Sequence, residues 1–409
     1  MKCKHISALL LVVLFSAPFA YSSDLDSGLA AVSEGNLEEA YRIFRSMAEQ
    51  GDVDGKEFLG LFYSRGLGVV RNDTEAARWY QAAAELGAIE AQYNLGIMFA
   101  QGRGVPQSHL EAVRWYHTAA EQGLAEAQYN LGVMYAEAQG VPQDFVKAAS
   151  LFRAAAEQGL SQAQYILGIM YERGQGVSQS YEQSAHWYHL AASQGYLDAQ
   201  LNMGDMYVEG KGVQQDHEEA ARWFREAAEE GLSKAQYNLG ILYEQGQGVP
   251  QNYVEAVRWF HAAAEQGFAE AQFNLGVMYA EGRGVSQSDV EAIRWYRAAA
   301  EQEQVDAIVI LGLRYLEGRG VPQDNVEAVR WFHAAAEQGD IDAQFILGAL
   351  YAEGEGIIQN YVQAYKWANL AASKGHPKAP ELREWLSKQM TTDQIQEAEK
   401  LTKEWVDSR

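Results

Sequence analysis

Residues 89–123 read IEAQYNLGIMFAQGRGVPQSHLEAVRWYHTAAEQG, and this stretch decides the fold. Ala91, Leu95, Met98 and Phe99 recur at helical spacing, so they line one face of a first helix. Gly96 beside them removes a side chain where a neighbouring helix can come close. Gly102-Arg103-Gly104 ends that helix, because glycine takes the left-handed backbone cheaply. Val105 plugs the loop into the core. Ser108 caps a second helix, and Glu111 three residues on predicts a capping box. Ala112, Trp115, Ala119 and Ala120 form that helix's buried stripe, and Gly123 turns the chain onward.

The same sentence returns every 36 residues. Ala-Gln-Tyr-Asn-Leu-Gly begins at Ala91, Ala127 and Ala235, with variants at Ala163, Ala199, Ala271, Ala307 and Ala343. Its closing glycine falls at Gly60, Gly96, Gly132, Gly168, Gly204, Gly240, Gly276, Gly312 and Gly348, without an insertion. Such regularity demands a stack of like helical modules, since a unit this short buries too little surface alone. The cap position is Asn72, Ser108, Asp144, Ser180, Asp216, Asn252, Ser288, Asp324 and Asn360, each able to accept from an orphan N–H for ~1 kcal/mol. A tryptophan in each unit (Leu151 replaces it once) is expected to fill the space beside the paired alanines. Ala138 and Glu303 stand where other units have glycine. If the left-handed backbone is kept, each costs ~1 kcal/mol and marks a place for a local bend.

These residues resemble the Sel1-like repeats, relatives of the tetratricopeptide repeat. Ala271, Leu275, Gly276, Tyr279, Gly282, Gly284, Val285, Ala292, Trp295, Tyr296, Ala299 and Ala300 carry the resemblance. The expectation is an all-α, right-handed α/α superhelical solenoid of nine 36-residue repeats over residues 53–376. Residues 24–52 form an N-terminal capping helix pair, and residues 377–409 form C-terminal capping helices. Thr391 opens a last helix with Ile395, Ala398, Leu401 and Trp405 on one side, a lid on the final repeat.

Residues 1–23 read as a secretory signal peptide: Lys2 and Lys4, then the apolar run Ala8 to Phe15, then small residues for cleavage. That run is too short for a membrane span, which needs ~20 apolar residues. The chain is therefore expected in the periplasm or outside the cell, with no membrane insertion of its mature part. Cys3 is the only cysteine, so neither an internal disulfide nor a multi-cysteine metal site is available. The formal charge of −23 repels phosphate backbones, which argues against a nucleic-acid partner.

Chemistry is sparse. His217-Glu218 begins a zinc-protease motif that Ala221 breaks, and Gly102-x-Gly104 lacks the third glycine of a dinucleotide fingerprint. Asp52-x-Asp54-Gly55 lacks the remaining ligands of a calcium loop and reads as a helix-connecting turn. His117, His189, His261 and His333 share one position in alternate units, on the order of 20 Å apart by helix spacing. Metal ligands must converge far closer. Neither a catalytic residue nor a cofactor or metal is expected.

The resemblance implies that first helices line a concave surface. One position along them reads Tyr93, Tyr129, Tyr165, Leu201, Tyr237, Phe273, Val309 and Phe345; the next reads Asn94, Asn130, Ile166, Asn202, Asn238, Asn274, Ile310 and Ile346. An aromatic row beside an amide row suits an extended peptide. The alternative is that the rings pack between neighbouring first helices and the asparagines bond across repeats. Asp205, polar where other units are apolar, is a further contact candidate. The acidity favours a partner with a basic segment. The functional expectation is a non-catalytic protein-binding scaffold or adaptor. A cell-wall-related hydrolase (β-lactamase-like or peptidoglycan-active) and a structural envelope spacer are the other readings. Oligomeric state is not legible.

Overall fold

A computed structural model of the chain describes residues 23–408; the expected signal peptide lies outside them except for its last residue. The described residues form 22 helices and no strand. Two helices come first, α1 (Ser23–Ser33) and α2 (Leu37–Glu49). Nine pairs follow. They are α3 (Val53–Arg65) and α4 (Asp73–Ala84); α5 (Ile89–Gln101) and α6 (His109–Glu121); α7 (Ala125–Ala136) and α8 (Phe145–Glu157). Next come α9 (Ser161–Arg173) and α10 (Tyr181–Ser193); α11 (Leu197–Glu209) and α12 (His217–Glu229); α13 (Ser233–Gln245) and α14 (Tyr253–Glu265). The last pairs are α15 (Ala269–Glu281) and α16 (Asp289–Ala300); α17 (Val305–Glu317) and α18 (Asn325–Glu337); α19 (Ile341–Glu353) and α20 (Tyr361–Ser373). Two closing helices are α21 (Ala379–Ser387) and α22 (Thr392–Asp407). The chain is an all-helical solenoid of repeated pairs.

It divides into two compact units. One runs to Ala199 and takes Lys211–Val213; the other holds Gln200–Gly210 and everything from Gln214. In the first, each of α1 to α9 packs on the helix that follows it. In the second, α12 to α20 do the same, and both α21 and α22 dock on α20. Trp405 of α22 lies edge-on to Trp367 at 6.3 Å and donates to Glu337 at 3.0 Å, so the last helix packs on α20 and α18.

All nine expected caps accept from the backbone N–H three residues on, as Ser108 does from Glu111. The capping box is a correction. Among the described residues, both of its bonds are present only at Thr391 and Gln394. Elsewhere the glutamate turns the other way, to an arginine one turn on, as Glu111 does to Arg114 at 2.9 Å. Arginine is the stronger partner for a carboxylate than a single backbone N–H.

The tryptophan expectation is also corrected. In eight of the nine pairs the ring that fills the gap beside the first-helix glycine is at the position after the tryptophan; in the last that position is Ala368. A Cβ on Gly96 would stand 2.6 Å from the Tyr116 ring. Tyr116 is buried, whereas Trp115 is half-buried and turns back to the cluster made by α4 and α5. One ring thus closes a pair, and the other ties that pair to the one before. Ala138 (φ +58°) and Glu303 (φ +64°) keep the left-handed backbone of the glycines they replace.

Candidate functional site

The aromatic row lies on the first helices, half-buried, and each ring meets a ring of the following helix or loop. Tyr93 sits 5.9 Å from Tyr116, Tyr129 5.5 Å from Phe152, and Tyr165 5.7 Å from Tyr188. Tyr237 sits 5.9 Å from Phe260, and Phe273 5.8 Å from Tyr296. Phe345 stacks on His376 at 4.2 Å. Burial raises the Tyr93, Tyr129 and Tyr237 phenols above the ordinary tyrosine range.

The amide row is partly spoken for. Asn130 Nδ2 reaches the Tyr93 hydroxyl at 3.4 Å, and Asn238 Nδ2 donates to Asp205 Oδ1 at 3.0 Å. Both bonds join consecutive first helices. Asn94 donates back to the Glu90 carbonyl at 2.9 Å, and Asn274 lies close enough to the Tyr237 hydroxyl to offset part of the rise of its phenol. Asn202 is partly exposed. The rings pack within their own pair and also against the next first helix, as Tyr93 does on Leu131 and Tyr129 on Leu167, and they stay partly exposed.

Carboxylates flank the row near the helix starts. Glu57 occupies the ring position in α3; burial first, then Glu90 and Asp54, push its carboxyl up to about 7. Burial and then Glu126 raise Glu90. Asp52 caps α3, accepting from Gly55 N at 2.7 Å, so the calcium-like stretch is the cap and first turn of that helix rather than a turn between helices. Among the described residues, no group of three or more histidines, cysteines or carboxylates is placed to hold a metal. His261 and His333 lie edge-on to Trp295 and Trp367 of the next pair, at 5.5 and 5.7 Å.

Sequence reasoning missed the glutamines. Gln92, Gln128, Gln164, Gln236, Gln272 and Gln344 are buried beside the alanine stripe, and each donates to the alanine carbonyl eight residues earlier. Five of them also accept from a glutamine thirty residues on, as Gln92 does from Gln122 at 2.7 Å. The signal was present in Ala-Gln-Tyr-Asn: an amide recurring next to a buried alanine must find partners.

The family model for the Sel1 repeat matches residues 26–52, 54–87, 89–124, 125–160, 161–196, 197–232, 233–268, 269–303, 305–340 and 341–376. The ten matches include the short-turned first pair. A search of curated proteins found no match. Among solved structures, c5321, described as a protective antigen of uropathogenic Escherichia coli strains displaying an SLR fold, is 35% identical. The similarity covers 94% of this chain and 91% of that one, with a TM-score of 0.68. A Sel1 repeat protein from Oxalobacter formigenes is 29% identical over 93% of this chain and 99% of its own, with a TM-score of 0.59. With the repeat matched along nearly all of its described length, this chain belongs to the Sel1 repeat family.

Proposed function

We propose that the chain is a non-catalytic scaffold, exported to the periplasm or beyond the cell, that binds a partner protein or peptide on its first-helix face. Sel1 repeat proteins are typically protein-interaction modules. The observation that carries the reading is the division of labour in each pair. Glutamines, alanines and second-helix rings are consumed in holding the stack, while first helices keep partly exposed rings and amides in register. Partly exposed rings supply contact area at low entropy cost, and amides pair with a backbone.

The carboxylate row supports a partner with a basic segment. Glu57 and Glu90 hold protons more tightly than ordinary glutamates, because burial and like charges leave their negative form under-compensated. An approaching lysine or arginine relieves that. Export is supported by the leader-like composition of residues 1–23.

The test is crosslinking and capture with the purified chain in extracts of its own envelope and of host material. The double variant Asn130→Ala, Tyr165→Ala should lose the captured partner while keeping its helical circular dichroism. Turnover of a β-lactam or a muropeptide would replace this reading with a hydrolase. A folded protein that captures nothing in either extract would leave the spacer.

A further inference from the structure

A cavity of about 230 Å³ opens between the C-terminal halves of α3 and α5, lined by Ser64, Arg65, Tyr80, Asn94 and Arg103 together with apolar side chains. This is more room than the ~150 Å³ that takes benzene and less than the ~300–1,000 Å³ of drug-sized sites, so it suits a group of amino-acid size. It is a basic spot in an acidic protein. Asp73 is shared between Arg71 at 2.8 Å and Arg103 at 3.1 Å, and Arg65 adds a third guanidinium. The Arg103 Nε–H is buried without a hydrogen-bond partner.

The repeats themselves show what such a place accepts. One hundred and eight residues on, the position of Ser64 is Glu172, and its carboxylate accepts from the Tyr188 hydroxyl at 2.7 Å. Tyr188 is the counterpart of Tyr80. In a further pair that position is Glu244, and its carboxylate accepts from Arg283 Nη1 at 2.8 Å; Arg283 is the counterpart of Arg103. Between α3 and α5 the tyrosine and the arginine are both kept, but the acid is Ser64, whose hydroxyl turns back to the Leu61 carbonyl at 2.9 Å. Here Arg103 takes a carboxylate from Asp73, a position that is Tyr181 and Tyr253 in those two pairs, while the carboxylate beside the tyrosine hydroxyl and the buried Arg103 Nε–H is absent.

We propose that this cavity binds a carboxylate supplied from outside the chain, received by Arg103, Arg65 and the Tyr80 hydroxyl where Glu172 and Glu244 sit in their own pairs. The proposal deepens the scaffold reading and rests on it for the partner. A guest segment would end, or present an acidic side chain, in the cavity. Seven residues separate Glu57 from Ser64, a rise of about 10 Å along α3. Roughly three extended residues span that distance. A lysine three residues before the carboxylate would therefore reach the Glu57–Glu90 row.

The test uses the purified full chain at constant ionic strength. Three probes are glutarate, the peptide N-acetyl-Lys-Ala-Ala-Ala with a free C-terminal carboxylate, and the same peptide amidated; inorganic phosphate is the control anion. Binding is read from the arginine Nε–H resonances and from the thermal midpoint. The expectation is a saturable shift of the Arg103 Nε–H signal with glutarate and with the free-acid peptide, and none with the amide. A tighter peptide than glutarate assigns a chain terminus as the source; the reverse assigns a free dicarboxylate. Each supports the carboxylate site.

Ser64→Glu supplies the acid internally. It should abolish both shifts while leaving the midpoint of the free protein equal or higher. Arg103→Gln should weaken binding by about tenfold, the worth of one charge-assisted bond. Equal shifts with the amide, preference for phosphate, or undiminished binding to Ser64→Glu would each overturn the proposal. Because the probes are small and the readout local, failure here leaves the partner-capture result standing, and loss of capture leaves this one standing.

Discussion

The pair α15/α16 and the pair α17/α18 solve one packing problem in two ways. In the first, Gln272 sits buried beside the alanine stripe, donates to the Ala264 carbonyl at 3.1 Å and accepts from Gln302 at 2.8 Å. In the second, the same position is Ile308, 2% exposed and packed into the apolar cluster of its neighbours. The Ala300 carbonyl that a glutamine would have met keeps the turn bond from the Glu303 N–H at 2.9 Å, as the Ala264 carbonyl keeps that from the Gly267 N–H at 3.0 Å, and lacks only the second donor. The pair with isoleucine also replaces the usual methionine by Arg314, which reaches back to Asp289 at 3.0 Å. The buried amide is one sufficient device for joining pairs, and an apolar side chain plus an ion pair is another.

Changes that move one pair toward the other test this. The largest effect belongs to Gln272→Ala, which removes both bonds and leaves a void; unfolding in urea should show a loss of about 2 kcal/mol. Gln272→Ile copies the neighbouring solution and fills the space, and Gln302 is exposed enough to turn to water. Its cost should be about 1 kcal/mol, and a cost equal to that of alanine would refute the equivalence. Glu303→Gly relieves the left-handed backbone of a side-chain residue and should gain about 0.5 kcal/mol, the strain relieved less the added freedom of the unfolded chain. The smallest change is Ile308→Gln. Gln338 stands thirty residues on, so the amide link can be rebuilt, and stability should stay within about 0.5 kcal/mol. A structure of that variant should show Gln338 turned to it.

A further comparison is set by pH. Glu57 stands in α3 where α5 and α7 carry Tyr93 and Tyr129. Its carboxyl binds a proton more tightly in the folded chain, up to about 7, than in the unfolded one. Stability should therefore be fullest below the unfolded value and decline as pH rises from about 4.5 to about 7, by an amount on the order of 3 kcal/mol. Glu57→Gln should flatten that decline in thermal melts, and Tyr93→Phe should leave it untouched.

The repeat, its helices and its caps were legible because each rests on local chemistry. A polar cap three residues before a helical pattern and a glycine after it need no knowledge of neighbours. What failed was the assignment of partners. Glu111 is equally suited to a backbone N–H or to Arg114, and only the side-chain geometry decides. Trp115 and Tyr116 are adjacent large rings, and their division between two clusters depends on which way the second helix is rolled. The candidate site was legible as a row but not in its use. Whether Asn130 faces a guest or the Tyr93 hydroxyl turns on the offset between successive first helices, which spacing along one chain does not encode.

The loop glycines carry one more consequence. Gly104 sits so close on the Asp73 carbonyl, at the start of α4, that a Cβ there would collide with it, and Gly284 sits in the same way on Tyr253. Each loop is thus seated on the pair before it, never on a distant part of the chain. A gene built of such segments can gain or lose a whole copy by unequal recombination and still encode matching seats at the new junction, whereas loss of a few codons would leave a loop with no seat. Copy number, rather than point substitution, is then the variable by which close relatives can alter their reach.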